Sequence, residues 1–139
     1  MFKEIVVAID GSDHSHKALD YAKGLAEQSG ATLRLVHAFP HTSDLLGYDD
    51  YELLVARRES AGQAILDQAR QQLGEVSILV KEELLEEPAA EAILNVAQIR
   101  QADLIVMGTR GRSSLEGLLL GSVSQKVIHH ADCPVMVVR

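Results

Sequence analysis

The sequence predicts an α/β fold, namely one doubly wound parallel sheet of five strands in the order 3-2-1-4-5 with helices on both faces. Two observations predict it. Short apolar runs without in–out alternation recur along the chain, as expected of strands buried on both faces. Between them, apolar residues recur at helical spacing. Alternating strands and helices build a parallel sheet, and right-handed crossovers limit the possible strand orders. The 139 residues suit one domain, residues 1–139, with no internal repeat or linker.

The first half of the chain supplies two strands and two helices. A β-branched run at 5–9 predicts the first strand and Thr32–Phe39 the second. The stretch 40–50 carries helix breakers and is expected to be irregular. Gly30 and Gly74 are expected to end the two helices. Inward-facing apolar residues of the helices are predicted at Ala18, Ala22, Leu25 and Ala26, and at Leu54, Ala61, Ile65 and Ala69.

The second half continues the alternation. The run 76–80 predicts the third strand. Pro88 suits the first turn of the next helix, because its missing N–H costs nothing there. A fourth strand at 104–107 ends at Gly108, a last helix is expected at Ser122–His130, and Val135–Val138 predicts the fifth strand. The buried stripe of the third helix is predicted at Ala90, Ile93, Leu94 and Ala97.

Composition excludes several classes of function. The net charge is −7, with no basic stripe, which argues against a nucleic-acid partner. The acidic run Glu82, Glu83, Glu86 and Glu87 is interpreted as a solvated turn leading into a helix. No apolar run approaches the ~20 residues that cross a bilayer, so no membrane partner is expected. A single cysteine, Cys133, precludes an internal disulfide and favours a reducing, cytoplasmic location.

Chemistry is predicted at the carboxyl ends of the first and fourth strands, where the strand order reverses and doubly wound sheets bind ligands. Asp10 follows the first strand and Gly108 the fourth. The loop after Gly108 is rich in glycine and leads into a helix that opens at Gly121 and Ser122. Backbone N–H groups of such a loop and helix start suit an anion, and Arg110 and Arg112 would add positive charge. The standard P-loop and dinucleotide fingerprints are absent from the sequence.

The spacing of three glycines carries a specific resemblance. Gly108, two residues, Gly111, nine residues, then Gly121-Ser122 resembles the nucleotide-loop signature of the universal stress protein family, in its ATP-binding branch. The likeness extends over nearly the whole chain, through VAIDGS at 7–12, LVHA at 35–38, ADLIVMG at 102–108 and HADCPV at 130–135.

The resemblance implies a role for each matching residue. Asp10 would meet the ribose or the adenine edge, and Ala8 and Ala38 would lie against the base. Ribose and first phosphate would be lined by Met107 and Gly108, and the phosphates by Gly111, Gly121, Ser122 and Val123. The implied cofactor is ATP, with Mg²⁺ or Mn²⁺ carried by its phosphates. The preference among ATP, AMP and cyclic AMP is left open, as is a protein partner.

Quaternary structure is predicted from the fifth strand. In the predicted order it is an edge, yet 134–138 is apolar and only Arg139 follows with a charge. Such edges are normally covered or paired. Antiparallel pairing with a second copy across Val135–Val138 would give the backbone N–H and C=O groups of this edge their hydrogen-bond partners. The family resemblance implies the same homodimer.

Metal, thiol and triad sites are more weakly indicated. The six histidines lack metal-ligand spacing, and Cys133 has no evident base beside it. Asp10, Ser12 and His14 are interpreted as a helix cap rather than a catalytic triad. Tyr48 and Tyr51 would either cover the base or lie loose on the surface.

Two classes of function remain. One is an ATP-binding stress-response or signalling module with at most weak ATPase activity, and the other is an enzyme that hydrolyses or transfers phosphate on the same scaffold. The sequence lacks a P-loop lysine, which favours the module. Glu116 lies within the phosphate loop and is expected to face solvent.

Overall fold

The computed structural model describes residues 1–41, 48–109 and 120–139, with only the backbone of residues 48 and 49. Nine elements alternate along this part of the chain. The strands are β1 (Glu4–Ala8), β2 (Thr32–Phe39), β3 (Val80–Glu86), β4 (Leu104–Gly108) and β5 (Val135–Val138). The helices are α1 (Asp13–Ser29), α2 (Tyr48–Leu73), α3 (Ala89–Ile99) and α4 (Ser122–His130).

The sheet confirms the predicted topology. All five strands are parallel, and their order is β3-β2-β1-β4-β5. In β1, Ile5 pairs with Leu33 of β2 on one side and with Leu104 of β4 on the other. Consecutive residues of β1 and β4 are buried, which explains the unalternated apolar runs in the sequence.

A hydrophobic core lies on each face of the sheet. The first core is formed against α1 and α2, and the second against α3 and α4. Most of the predicted inward residues are found there, but in α2 the predicted Ala61 is exposed and Leu54 is only half-buried. First-core residues include Ala18, Ala22, Ala26 and Ala69, and second-core residues include Ala90, Ile93 and Ala97.

The prediction of the third strand at 76–80 was wrong, because β3 runs from Val80 to Glu86. The acidic run is therefore largely strand rather than turn. As an edge strand, β3 tolerates charge, and arginines of neighbouring elements pair with its carboxylates. Arg34 Nη1 lies 2.8 Å from Glu83 Oε2, and Arg70 Nε lies 2.5 Å from Glu82 Oε2.

Helix ends follow the predicted chemistry with small shifts. Gly30 has φ 72° and donates its N–H to the Ala26 carbonyl, so it ends α1 as expected. Gly74 follows α2 with φ 65°. Pro88 is the N-cap of α3, one residue before its first turn. The helix α2 begins at Tyr48, inside the stretch predicted to be irregular, and residues 42–47 of that stretch lie outside the described residues.

Hydrogen bonds join the amino-terminal ends of β1 and β4. Asp103 Oδ2 accepts hydrogen bonds from the N–H groups of Lys3, at 2.6 Å, and Glu4, at 2.8 Å. These bonds favour the carboxylate and hold the pKa of Asp103 below its usual value. In the described part of the chain, no helix is long and apolar enough to cross a membrane.

Candidate functional site

A cleft of about 1120 Å³ opens at the carboxyl ends of β1, β2 and β4, where the strand order reverses. All eight predicted site residues that the structure describes line this one cleft. They are Ala8, Asp10, Ala38, Met107, Gly108, Gly121, Ser122 and Val123. Their role in binding a nucleotide stays a prediction. Arg110, Gly111 and Arg112, with Glu116, lie outside the described residues.

Asp10 connects the end of β1 to the start of α1. Its Oδ1 accepts hydrogen bonds from the N–H of Ser12, at 2.8 Å, and from the Ser12 hydroxyl, at 2.5 Å. Ser12 in turn caps α1 by accepting from the N–H of Ser15 at 3.2 Å. The interpretation of this segment as a helix cap is confirmed. His14 Nδ1 lies 2.9 Å from the Thr109 hydroxyl, so the triad geometry is not formed.

The start of α4 is attached to the end of β4. Gly121 is the N-cap, and its N–H donates to the Thr109 carbonyl at 2.7 Å. The buried Ser124 hydroxyl donates to the Gly108 carbonyl at 2.8 Å. Gln125 makes the first intrahelical bond, to Gly121, so the N–H groups of residues 122–124 belong to the open first turn. This helix start is suited to an anion.

Gly108 packs against α1. A Cβ on this residue would lie 2.6 Å from His14 Cβ and 2.9 Å from the His14 carbonyl carbon. At such distances the neighbouring backbone would have to shift, which is costly. The glycine therefore has a role in helix–strand packing, whereas its place in the glycine pattern had suggested only approach to a ligand.

The far wall of the cleft is formed by β2 and α2. His37 lies at the first-core face of β2, and its Nδ1 is 2.6 Å from the Ile9 carbonyl oxygen. Because a carbonyl only accepts, Nδ1 carries the proton of this bond. Gly62 of α2 packs beside this ring, since a Cβ there would lie 3.1 Å from His37 Cδ2 and 2.7 Å from Leu84 Cδ1.

Sequence reasoning missed His37, Arg58 and Gly62 as lining residues of the cleft. The signal for Arg58 was present. It precedes Ala61 by three residues and Ile65 by seven, both of which are predicted to face inward, so it shares their side of the helix. His37 and Gly62 carried no such signal, because their contact joins elements that are distant in sequence.

The sequence disfavoured a metal site and a reactive thiol, and it left open whether a tyrosine covers the base. The described residues contain no group of three or more His, Cys, Asp or Glu side chains able to hold a metal. Burial raises the pKa of the half-buried Cys133 thiol, which disfavours the reactive thiolate. The Tyr51 ring centroid lies 6.4 Å from that of His41, and the Tyr48 side chain lies outside the described part of the chain.

Comparisons with known proteins agree with this architecture. The universal stress protein family model matches residues 1–139. A universal stress protein of Thermus aquaticus, from the QAH/OAS sulfhydrylase 3' region, is 43% identical over 141 residues, which cover 100% of both chains. A solved universal stress protein in complex with cAMP superposes with a TM-score of 0.76 at 28% identity, over 99% of this chain and 97% of that one. The Archaeoglobus fulgidus universal stress protein in complex with dAMP has a TM-score of 0.64 at 25% identity, over 99% and 98%.

The fold and the cleft define a doubly wound α/β protein whose strand-reversal crevice ends at a helix N-terminus. The chain belongs to the universal stress protein family.

Proposed function

We propose that this protein binds an adenine nucleotide in the cleft, and that the nucleotide is ATP with Mg²⁺ or Mn²⁺ on its phosphates. One observation carries the proposal: the same cleft is lined by three features, each at the end of a different strand. They are a helix start suited to an anion beside β4, a carboxylate after β1, and apolar surface at β2. The residues fit such a ligand, since each kind of wall suits one part of a nucleotide.

The phosphate end of the cleft is at β4. There the first turn of α4, opened by Gly121 and followed by Ser122 and Val123, directs N–H groups and a positive helix dipole at the ligand. Phosphates are acceptors with negative charge, so they match both. A metal ion carried by the phosphates would reduce the repulsion between them, and no protein ligand to it is invoked.

The nucleoside end extends across β1 to β2. Asp10, at the end of β1, offers a carboxylate that suits ribose hydroxyl or adenine amino donors. Ala8, Ala38 and Met107 present small or apolar surface to a flat ring. The complexes of the two structural relatives with cAMP and dAMP support an adenine nucleotide as the ligand.

The test is a steric block at the phosphate end. Gly121 has an extended backbone, φ −66° and ψ 168°, which valine also adopts, so Gly121→Val is expected to fold normally. Its side chain would prevent close approach of phosphate to the helix start, and calorimetry should show no ATP binding. Gly24→Val is the control, because a Cβ at Gly24 meets nothing within 4 Å. Equal ATP affinity in Gly121→Val and wild type, or none in wild type, would contradict the proposal.

We further propose that the protein acts as a nucleotide-dependent stress-response or signalling module in the cytoplasm, as a homodimer joined through β5. The apolar edge of the sheet supports the dimer. Val135, Met136 and Val137 are half-buried in the single chain, and β5 is the last strand of the described sheet. Pairing with a second copy would satisfy the backbone groups of that edge.

A further inference from the structure

One face of α2 forms a wall of the cleft and carries a positive charge. Arg58, Ala61, Gly62 and Ile65 line the cleft at spacings of three, four and seven residues, so they share one side of the helix. The other three are small or apolar. Among the lining residues that the structure describes, Arg58 is the one arginine, and there is no lysine.

Arg58 lies at the β2 end of the cleft. Leu66, eight residues later on the same helix, is fully buried in the first core, so Arg58 stands about 12 Å along the helix axis from this buried position. Its Nη1 donates to the carbonyl of Pro40, the residue after β2, at 3.1 Å. The start of α4 is at β4, two strands away, which is about 10 Å across the sheet. The guanidinium is therefore at the end opposite the phosphate site.

Close packing of α2 brings this charge to the cleft. Gly62 has no side chain, and even a Cβ there would contact Leu84 and His37. The helix therefore approaches β2 more closely than a larger residue would permit. Ala61 and Gly62 also leave a shallow surface beside Arg58, which fits a flat ring better than a branched group.

We propose that Arg58 binds the base of the nucleotide by stacking its guanidinium on the face of the ring. This inference rests on the proposed function. Hydrogen bonds such as the one to Pro40 lie in the plane of a guanidinium, and an aromatic ring stacks on its face, so one arginine can make both kinds of contact. A cation over an aromatic face is attracted to it, more strongly when desolvated. The base would then contribute to affinity, so a nucleotide would bind more tightly than a base-free polyphosphate.

The experiment separates contact with the base from contact with phosphate. ATP affinity is measured by calorimetry at several salt concentrations for wild type, Arg58→Ala, Arg58→Lys and the control Arg57→Ala, whose exposed side chain is the adjacent cation. We expect Arg58→Ala to bind ATP about three- to tenfold more weakly. Arg58→Lys should recover little of this loss in affinity, because the lysine ammonium group is not planar and cannot stack on the ring. The slope of log Kd against log salt should equal that of wild type, and Arg57→Ala should bind as wild type does.

Three results would overturn the inference: wild-type affinity in Arg58→Ala, full affinity in Arg58→Lys, or a flatter salt slope in Arg58→Ala, which indicates a lost phosphate contact. Circular dichroism of each variant at the measurement temperature confirms that it is folded. Failure of the proposed function is distinguishable, because wild type itself would then bind no ATP. Normal binding by wild type with an unchanged Arg58→Ala contradicts only the role of Arg58.

Discussion

Gly108 and Gly121 belong to the same glycine pattern, but their environments differ. At Gly108 the direction of a side chain is occupied by the backbone of His14. At Gly121 the backbone is extended and begins α4 at the cleft. The sequence suggested one role for both residues, approach to a ligand. The structure gives Gly108 a packing role, which was not evident from sequence because His14 is 94 residues away.

Replacing Gly108 by alanine tests that packing role. Because the added Cβ would lie 2.6 Å from His14 Cβ, α1 or β4 has to move, and we expect a loss of about 1–3 kcal/mol in the free energy of unfolding. Urea unfolding measures it. Gly24→Ala, on the open side of α1, is the control and should gain about 0.5–1 kcal/mol from helix propensity. An unchanged stability of Gly108→Ala would show that the packing argument is wrong.

At the scale of elements, the two edges of the sheet differ in chemistry. The strand β3 carries Glu82, Glu83 and Glu86, two of which pair with arginines, whereas β5 consists of valines and a methionine. A charged edge resists pairing with another strand, and an apolar one invites it. Of the two edges, β5 is therefore the one suited to an interface between copies.

Hydrogen bonding within the sheet indicates how to test that interface. The carbonyls of Pro134 and Val138 accept from Ile105 and Thr109, so alternate residues of β5 face β4. By this alternation, the N–H of Val137 faces the open edge. Val137→Pro removes a donor that β4 does not use and is expected to convert the dimer to monomer, as measured by light scattering.

The control for this variant is Val137→Ala, which shortens the side chain but keeps the N–H, and it should remain dimeric. A wild-type protein that is monomeric at micromolar concentration, or a Val137→Pro variant that stays dimeric, would refute the proposed pairing.

At the scale of the whole molecule, the cleft is better suited to holding a nucleotide than to hydrolysing it. Phosphoryl transfer needs a fixed metal and a group that orients the attacking water. Among the described lining residues the one carboxylate is Asp10, and its Oδ1 already accepts two hydrogen bonds from Ser12. It also follows β1, where the proposed binding mode has the nucleoside rather than the phosphates.

ATP turnover by the purified protein is therefore expected to be far below the ~1–100 s⁻¹ of kinases. Phosphate release at saturating ATP and Mg²⁺ measures it, and Gly121→Val supplies the background of contaminating activity. Turnover within that range, lost in Glu116→Gln but present in wild type, would instead support an enzyme that hydrolyses or transfers phosphate.

Local sequence patterns were enough to predict the alternation of strands and helices, the two-sided burial of β1 and β4, and the residues 10, 108, 121 and 122 of the cleft. The cleft residues 8, 38, 107 and 123 were predicted from the family resemblance. Hydrophobic periodicity and glycine spacing are properties of residues close together in the chain, so they can be recognised without the structure. The place of β3 depends instead on tertiary contacts, because arginines from β2 and α2 stabilise an acidic strand that looks like a turn in isolation. The same holds for the α2 wall of the cleft. Its packing of Gly62 on His37, 25 residues apart in the sequence, depends on how a helix and a strand meet in space.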